Sequence, residues 1–302
     1  MGKIAFVFSG QGDQFPGMGK ELAEQYSCAA DVFAMCDRIR PGTSAMCFEG
    51  TAEELRETRN TQPCLYAMEL AAASVLLEAG IKPDAVAGFS LGELTAGTVA
   101  GAMEPETGFR LVCRRGELMQ QAAEKQETTM AAVVKLTQEQ VVELCGKYDN
   151  VYPVNFNYPG QISVAGLGTE MADFANDVKA AGGRAIPLKV TGAFHTPFMA
   201  EASEKFTKEL AAVDFCKNTV KFYSNVTAQP YGEDIEGLLA RQMCSPVRWE
   251  ELIRNMIADG VDTFIEIGPG KTLCNMIGRI DPSVTTYCVA DIPAFLAEAK
   301  AC

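Results

Sequence analysis

The chain has little from which to build a metal centre. It holds one histidine and no Cys-x-x-Cys pair, so a four-ligand zinc site lacks its ligands. No run approaches the roughly 18 apolar residues of a membrane span. Positive charge is also short: 26 Lys and Arg face 39 Asp and Glu, a net charge of −13. Such a balance repels phosphate backbones and argues against nucleic acid as a partner. The opening MGKIAFVFSGQG turns polar too soon for a secretory signal. What is present is a scattered, odd set of 11 cysteines in a chain of 302 residues. That pattern reads as reduced thiols in a cytoplasmic protein, not as a disulfide framework.

With 48% hydrophobic and 22% charged residues, the chain can bury a sizeable core. Its length fits one large domain carrying a smaller insertion. Lys3–Phe8 reads as a strand, closed by Ser9-Gly10-Gln11-Gly12. Helical spacing runs from Gly19 to Ile39, with Leu22, Tyr26 and Phe33 on one face. A second helix covers Thr61–Ala79 and stops at Gly80. A strand at Asp84–Phe89 leads through Ser90 into a helix ending near Gly101. This alternation predicts a parallel α/β sheet. Near residue 128 the pattern changes. A strand at Met130–Leu136, a helix opened by Thr137-x-x-Gln140, strands at Val151–Asn155 and Gln161–Ala165, a helix over 169–181 and a strand over 184–190 follow in turn. The order β-α-β-β-α-β is that of a ferredoxin-like unit. The expected domains are therefore 1–127 with 191–302, interrupted by 128–190. Beyond the insertion the α/β pattern resumes. It gives helices from Pro197, around Pro246 and from Lys271, and strands at Val220–Tyr223 and Thr263–Ile267.

Two nucleotide signatures fail. Gly10-x-Gly12 has Phe15 where a dinucleotide fingerprint needs glycine, and Gly270-Lys271-Thr272 has Ile265 where a phosphate loop needs one. No cofactor is expected. Gly88-Phe89-Ser90-Leu91-Gly92 does fit G-x-S-x-G, between an apolar strand and a helix. That context suits a nucleophilic serine on a sharp strand-to-helix turn, its glycines giving room to neighbouring backbone. The plain alternative is a serine in a Gly-bounded turn. A serine nucleophile needs a base, and His195 is the sole histidine. Thr196-Pro197 would cap the helix behind it. No third, acidic member stands out by spacing. Arg115 reads either as a surface arginine or as a fork for a substrate carboxylate.

Taken in order, these motifs resemble the malonyl-CoA:acyl carrier protein transacylase family. The set comprises Phe8–Gly12, Thr61-Gln62-Pro63, Gly88–Glu93, Arg115-Gly116, Asn155–Asn157 with Pro159–Gln161, and Gly192–His195. It ends with Arg241-Gln242, Pro246-Val247 with Trp249, and Glu266–Gly270. The resemblance implies an α/β-hydrolase-like core with a ferredoxin-like insertion. It implies Ser90 as the acylated nucleophile and His195 as its base, oriented by the backbone carbonyl of Gln242. The amides of Gln11 and Leu91 would form the oxyanion hole. Arg115 would clamp the malonyl carboxylate, with Gln11, Gln62 and Phe194 also binding substrate. Position 89 departs from the family, where histidine is usual. Since the base is the distant His195, Phe89 should change the pocket's shape or pH response without abolishing catalysis.

The implied reaction moves a malonyl group from malonyl-CoA to the phosphopantetheine thiol of acyl carrier protein, through malonyl-serine. A monomer is expected. Docking an acidic carrier on an acidic chain needs a local positive face, with Arg184, Lys189, Lys217, Lys221 and Arg279 as candidates. Three rivals remain: a serine acyl hydrolase on the same fold, a non-catalytic carrier-docking module, and a malonyltransferase of a polyketide pathway. Arg115 argues against the first, and the intact Ser90, His195 and Gln242 set against the second. The third shares the same chemistry. An end near Cys302 without a linker suits a free-standing enzyme.

Overall fold

The computed structural model describes residues 2–190 and 192–289. Thr191, in the expected histidine loop, and the stretch 290–302, which bears on the expected free-standing end, lie outside the described residues. Lys3–Phe8 forms β1, completely buried from Ala5 to Phe8. A strand apolar on both faces suits a parallel sheet covered by helices on both sides. The single helix expected over Gly19–Ile39 is instead α1 (Lys20–Gln25) and α2 (Ser27–Ile39). Tyr26 between them is extended, at φ −127° and ψ 121°. Its N–H closes α1 on Leu22, and its carbonyl accepts from Ala30 of α2. The break therefore orphans neither group and needs no glycine or proline to mark it. α3 (Thr43–Glu49) leads to α4 (Thr58–Glu78), which is buried along most of its length and starts one turn earlier than expected. Gly80, at φ 85°, ends it. Then come β2 (Ala85–Gly88), α5 (Gly92–Val99) and α6 (Pro105–Ala123).

From residue 128 the order is β3 (Thr128–Val134), α7 (Gln138–Cys145), β4 (Val151–Tyr158), β5 (Gln161–Leu167), α8 (Gly168–Ala180) and β6 (Arg184–Pro187). These strands pair antiparallel in the order β4-β5-β3-β6, the ferredoxin-like arrangement. The capping box of α7 forms: Thr137 accepts from the Gln140 N–H, and the Gln140 side chain accepts from the Thr137 N–H. The chain then continues through a single 3-10 turn, Pro197–Met199, into α9 (Ala200–Leu210). β7 (Lys221–Phe222), α10 (Ile235–Gln242), α11 (Trp249–Ala258), β8 (Val261–Ile267), α12 (Thr272–Ile280) and β9 (Thr285–Cys288) follow.

The first sheet is parallel throughout, in the order β7-β2-β1-β8-β9. β9 is an addition to the sequence reading. As a half-buried edge strand, Thr-Thr-Tyr-Cys carries no continuous apolar run to announce it. Two backbone hydrogen bonds tie β4 to the loop between α10 and α11, Phe156 N–H to the Val247 carbonyl at 2.9 Å and Val247 N–H to the Val154 carbonyl at 2.8 Å. They hold the small sheet beside the carboxyl ends of β1 and β2, where open α/β sheets bind ligands. Glu266, at the end of β8, accepts from the Leu273 and Cys274 amides and so caps α12. The Gly270-Lys271-Thr272 turn is thus occupied by the protein's own carboxylate.

Candidate active site

Ser90 sits two residues beyond β2 with φ 54°, a left-handed backbone. Such a conformation costs a non-glycine residue on the order of 1–3 kcal/mol and persists only where its surroundings enforce it. Here Ser90 N–H donates to Asn225 Oδ1 at 2.8 Å, and Gln242 Nε2 donates to the Ser90 carbonyl at 2.6 Å. The flanking glycines are compulsory. A Cβ on Gly88 would lie 1.8 Å from the Gly92 carbonyl carbon, and one on Gly92 2.3 Å from the Phe8 oxygen. Backbone crowding, then, is what spaces the motif.

His195 reaches Ser90 across 105 residues, with Nε2 2.7 Å from Oγ. Its Nδ1 lies 2.9 Å from the Gln242 carbonyl. A carbonyl only accepts, so Nδ1 carries the hydrogen and Nε2 is left to take the serine proton. Among the described residues no carboxylate is hydrogen-bonded to the ring. Thr196 accepts from the Phe198 N–H and caps the turn behind the histidine, as expected. Burial first, and the Arg115 charge second, hold the imidazole down to about 4. It is therefore neutral at neutral pH and competent as a base.

Arg115 is fully buried on α6, which excludes the surface-arginine reading. Its Nη1 donates to Gln62 Oε1 at 2.8 Å and its Nη2 to Gln242 Oε1 at 2.7 Å. Nη2 also lies 3.3 Å from Ser90 Oγ, while buried Nε has no partner among the described residues. Burial lowers the guanidinium to about 10, opposed by nearby Glu93, so it stays charged at neutral pH. A cation with an unsatisfied donor, beside a nucleophile, suits an anionic substrate group.

The amides of Gln11 and Leu91 find no protein acceptor among the described residues, whereas the Ser90 amide is already taken by Asn225. The Gln11 side chain is anchored on Thr58 Oγ1 at 3.2 Å. Gln11, Gln62, Ser90, Leu91, Arg115, Phe194 and His195 all line one cavity of about 80 Å³. Met119, Met130, Asn155, Leu188 and Val190 complete its wall together with Phe89. Drug-sized ligand pockets run to roughly 300–1,000 Å³, so this one suits a short acyl group. Gln242 lies behind the dyad and reaches His195 through its backbone carbonyl and Ser90 through its side-chain amide. Phe89 packs edge-on against Trp249, with ring centroids 5.4 Å apart. It therefore adds apolar wall beside the serine and no proton carrier.

Sequence reasoning passed over three buried groups. Glu93, although quoted within the motif, reads as an ordinary acid in a helix's first turn. In the structure its carboxylate accepts from Asn225 N–H, Tyr231 O–H and Gln242 Nε2. Asn225 and Tyr231 lie over 130 residues downstream, with no local signature. Of the basic candidates, Lys217 and Lys221 line one cleft together, and Arg279 lies apart from them. Lys221 is on β7 and bound to Asp259 at 2.7 Å. Arg279 lies over the Tyr158 ring on α12, beside the opposite edge of a five-stranded sheet, and four strand spacings are about 19 Å.

The acyl transferase domain family matches residues 5–285. The malonyl CoA-acyl carrier protein transacylase of Bacillus subtilis (strain 168) is 42% identical over 301 residues, spanning 96% of this chain and 94% of that one. The crystal structure of the transacylase of the same name from Clostridium perfringens ATCC 13124 superposes with a TM-score of 0.95 at 36% identity, covering 99% and 97% of the two chains. A solved complex of a type II PKS acyl-carrier protein with its malonyl-transacylase gives 0.94 at 33% identity, covering 98% and 99%.

Proposed function

The chain belongs to the acyl transferase domain family, and from that premise we infer how its buried site carries out the reaction of its full-length relatives. It is an acyltransferase that moves malonyl from malonyl-CoA to acyl carrier protein in fatty-acid synthesis. In our reading, Ser90 Oγ attacks the thioester carbonyl while His195 Nε2 takes its proton. The Gln11 and Leu91 amides receive the oxyanion, a pair worth about 3 kcal/mol of barrier per donor. CoA leaves as its thiol, protonated by His195, and malonyl-Ser90 remains. The carrier's phosphopantetheine thiol then gives its proton to His195 and attacks the ester, and His195 returns that proton to the leaving Ser90 Oγ. Arg115 holds the malonyl carboxylate throughout. The observation that carries this reading is the Ser90–His195 contact with a buried, half-satisfied arginine beside it.

The same reading takes the enzyme as a cytoplasmic monomer without nucleic-acid or membrane contacts. Its net charge of −13 supports the first exclusion. Among the described residues no helix is long and apolar enough to cross a membrane. A polyketide carrier is the second reading, favoured by the likeness to the type II PKS complex. It leaves the chemistry unchanged.

A covalent route has two kinetic signatures, the first of which needs no carrier. The enzyme alone should exchange labelled CoA into malonyl-CoA, and initial-rate plots against carrier should be parallel. Intersecting lines with no exchange would mean direct transfer in a ternary complex. Steady release of malonate would mean a hydrolase.

A further inference from the structure

Glu93 lies in the first turn of α5, fully buried, and takes no part in the proton transfers. Asn225 N–H and Tyr231 O–H converge on its Oε1 at 2.8 and 2.7 Å, and Gln242 Nε2 on its Oε2 at 2.6 Å. The other hydrogen of that amide goes to the Ser90 carbonyl, also at 2.6 Å. With both hydrogens committed to acceptors, the Gln242 oxygen has one direction left. It points at Arg115 and accepts from Nη2 at 2.7 Å. The second holder of the guanidinium is weaker: Gln62 takes Nη1, but among the described residues its own amide nitrogen has only the Met119 sulfur at 3.3 Å, a poor acceptor.

We propose that Glu93 is a positioning residue for acyl selectivity, fixing through Gln242 the direction in which Arg115 presents its guanidinium to a substrate carboxylate. A carboxylate is required because three donors arrive on two oxygens. A carboxamide there has one acceptor and sets its NH2 against either Gln242 Nε2 or the Asn225 N–H. Turning Gln242 over to relieve the first clash aims its NH2 at Arg115 and its oxygen at the Ser90 carbonyl. Burial pushes Glu93 up to about 7, against those three donors and the Arg115 charge; the ionised form that Gln242 needs therefore gains as pH rises through neutrality.

The inference rests on Arg115 holding the malonyl carboxylate, so its test must separate the two. Purified wild type and Glu93→Gln are assayed with malonyl-CoA and acetyl-CoA against the same carrier. The malonyl-to-acetyl ratio of kcat/KM should fall about tenfold in the variant, chiefly through a higher KM for malonyl-CoA. Tyr231→Phe, which removes a donor from the other oxygen, should move the ratio less than twofold. Should Glu93→Gln fail to fold, Glu93→Asp keeps the charge but falls short of Gln242 and should lower the ratio likewise. A wild type without malonyl preference would remove the Arg115 reading itself. A preferring wild type with an unchanged ratio in the variant, or equal losses with both donors, would overturn the role of Glu93 alone.

Discussion

Replacing Ser90 with alanine should abolish acyl-enzyme formation and lower transfer by on the order of 10⁴ or more. The expectation follows from the proton route. His195 has one bare nitrogen, and Oγ is the group it faces at 2.7 Å. Among the described residues that line the cavity, Ser90 alone carries a hydroxyl or thiol. The ten cysteines among the described residues do not line it either. Several of them, Cys36 and Cys113 included, have thiols pushed up to about 12 or beyond by burial, which keeps them protonated and inert. The substitution should not unfold the turn. Its conformation is held by the Ser90 amide and carbonyl, which alanine retains. Intact mass after incubation with malonyl-CoA reads the first expectation, and a thermal melt close to wild type reads the second. A malonyl adduct on the alanine variant would remove Ser90 from the mechanism.

Arg115→Ala should act on selectivity. Removing one partner of a desolvated charge pair costs about 2–5 kcal/mol, so kcat/KM for malonyl-CoA should drop by roughly 30-fold to several thousand-fold. Acetyl-CoA has no carboxylate to lose and should fall far less, so the preference between donors narrows or inverts. The same variant carries a pH signature. His195 is held at about 4 by burial and then by the Arg115 charge. At saturating malonyl-CoA, acylation in the wild type should therefore hold from neutral pH down to about 5 and fail near 4, where the imidazole gains a proton. Without Arg115 one of the two depressing causes is gone, and the acid limb should move up toward the ordinary histidine value. Stability has the same sign. A folded value below the unfolded one contributes stability that is complete above about 6.5 and is lost as pH falls through 4. Full malonyl preference in Arg115→Ala would show that the carboxylate binds elsewhere.

The parts legible in the sequence are those where backbone geometry forces a residue type. Gly88 and Gly92 could be read because any side chain there would strike backbone, and Thr137 and Gln140 because a capping box is local. His195 was found because it had no competitor. The resemblance supplied the carbonyl of Gln242, whose place no spacing rule gives. Glu93, Asn225 and Tyr231 were not legible, because their roles arise only when segments more than 130 residues apart converge. The break at Tyr26 left no mark, since its N–H and carbonyl both stay paired. Nor could the burial of Arg115 be read, because periodicity cannot tell a solvated face from one turned toward a site.

The central claim is that one serine carries malonyl between two thiols. The most direct measurement is the intact mass of the enzyme after malonyl-CoA, and again after pantetheinylated acyl carrier protein is added. One malonyl adduct, mapped to Ser90 and lost as the carrier gains the same mass, is the expected result. An unmodified carrier with free malonate in solution, or an adduct on any other residue, would contradict it.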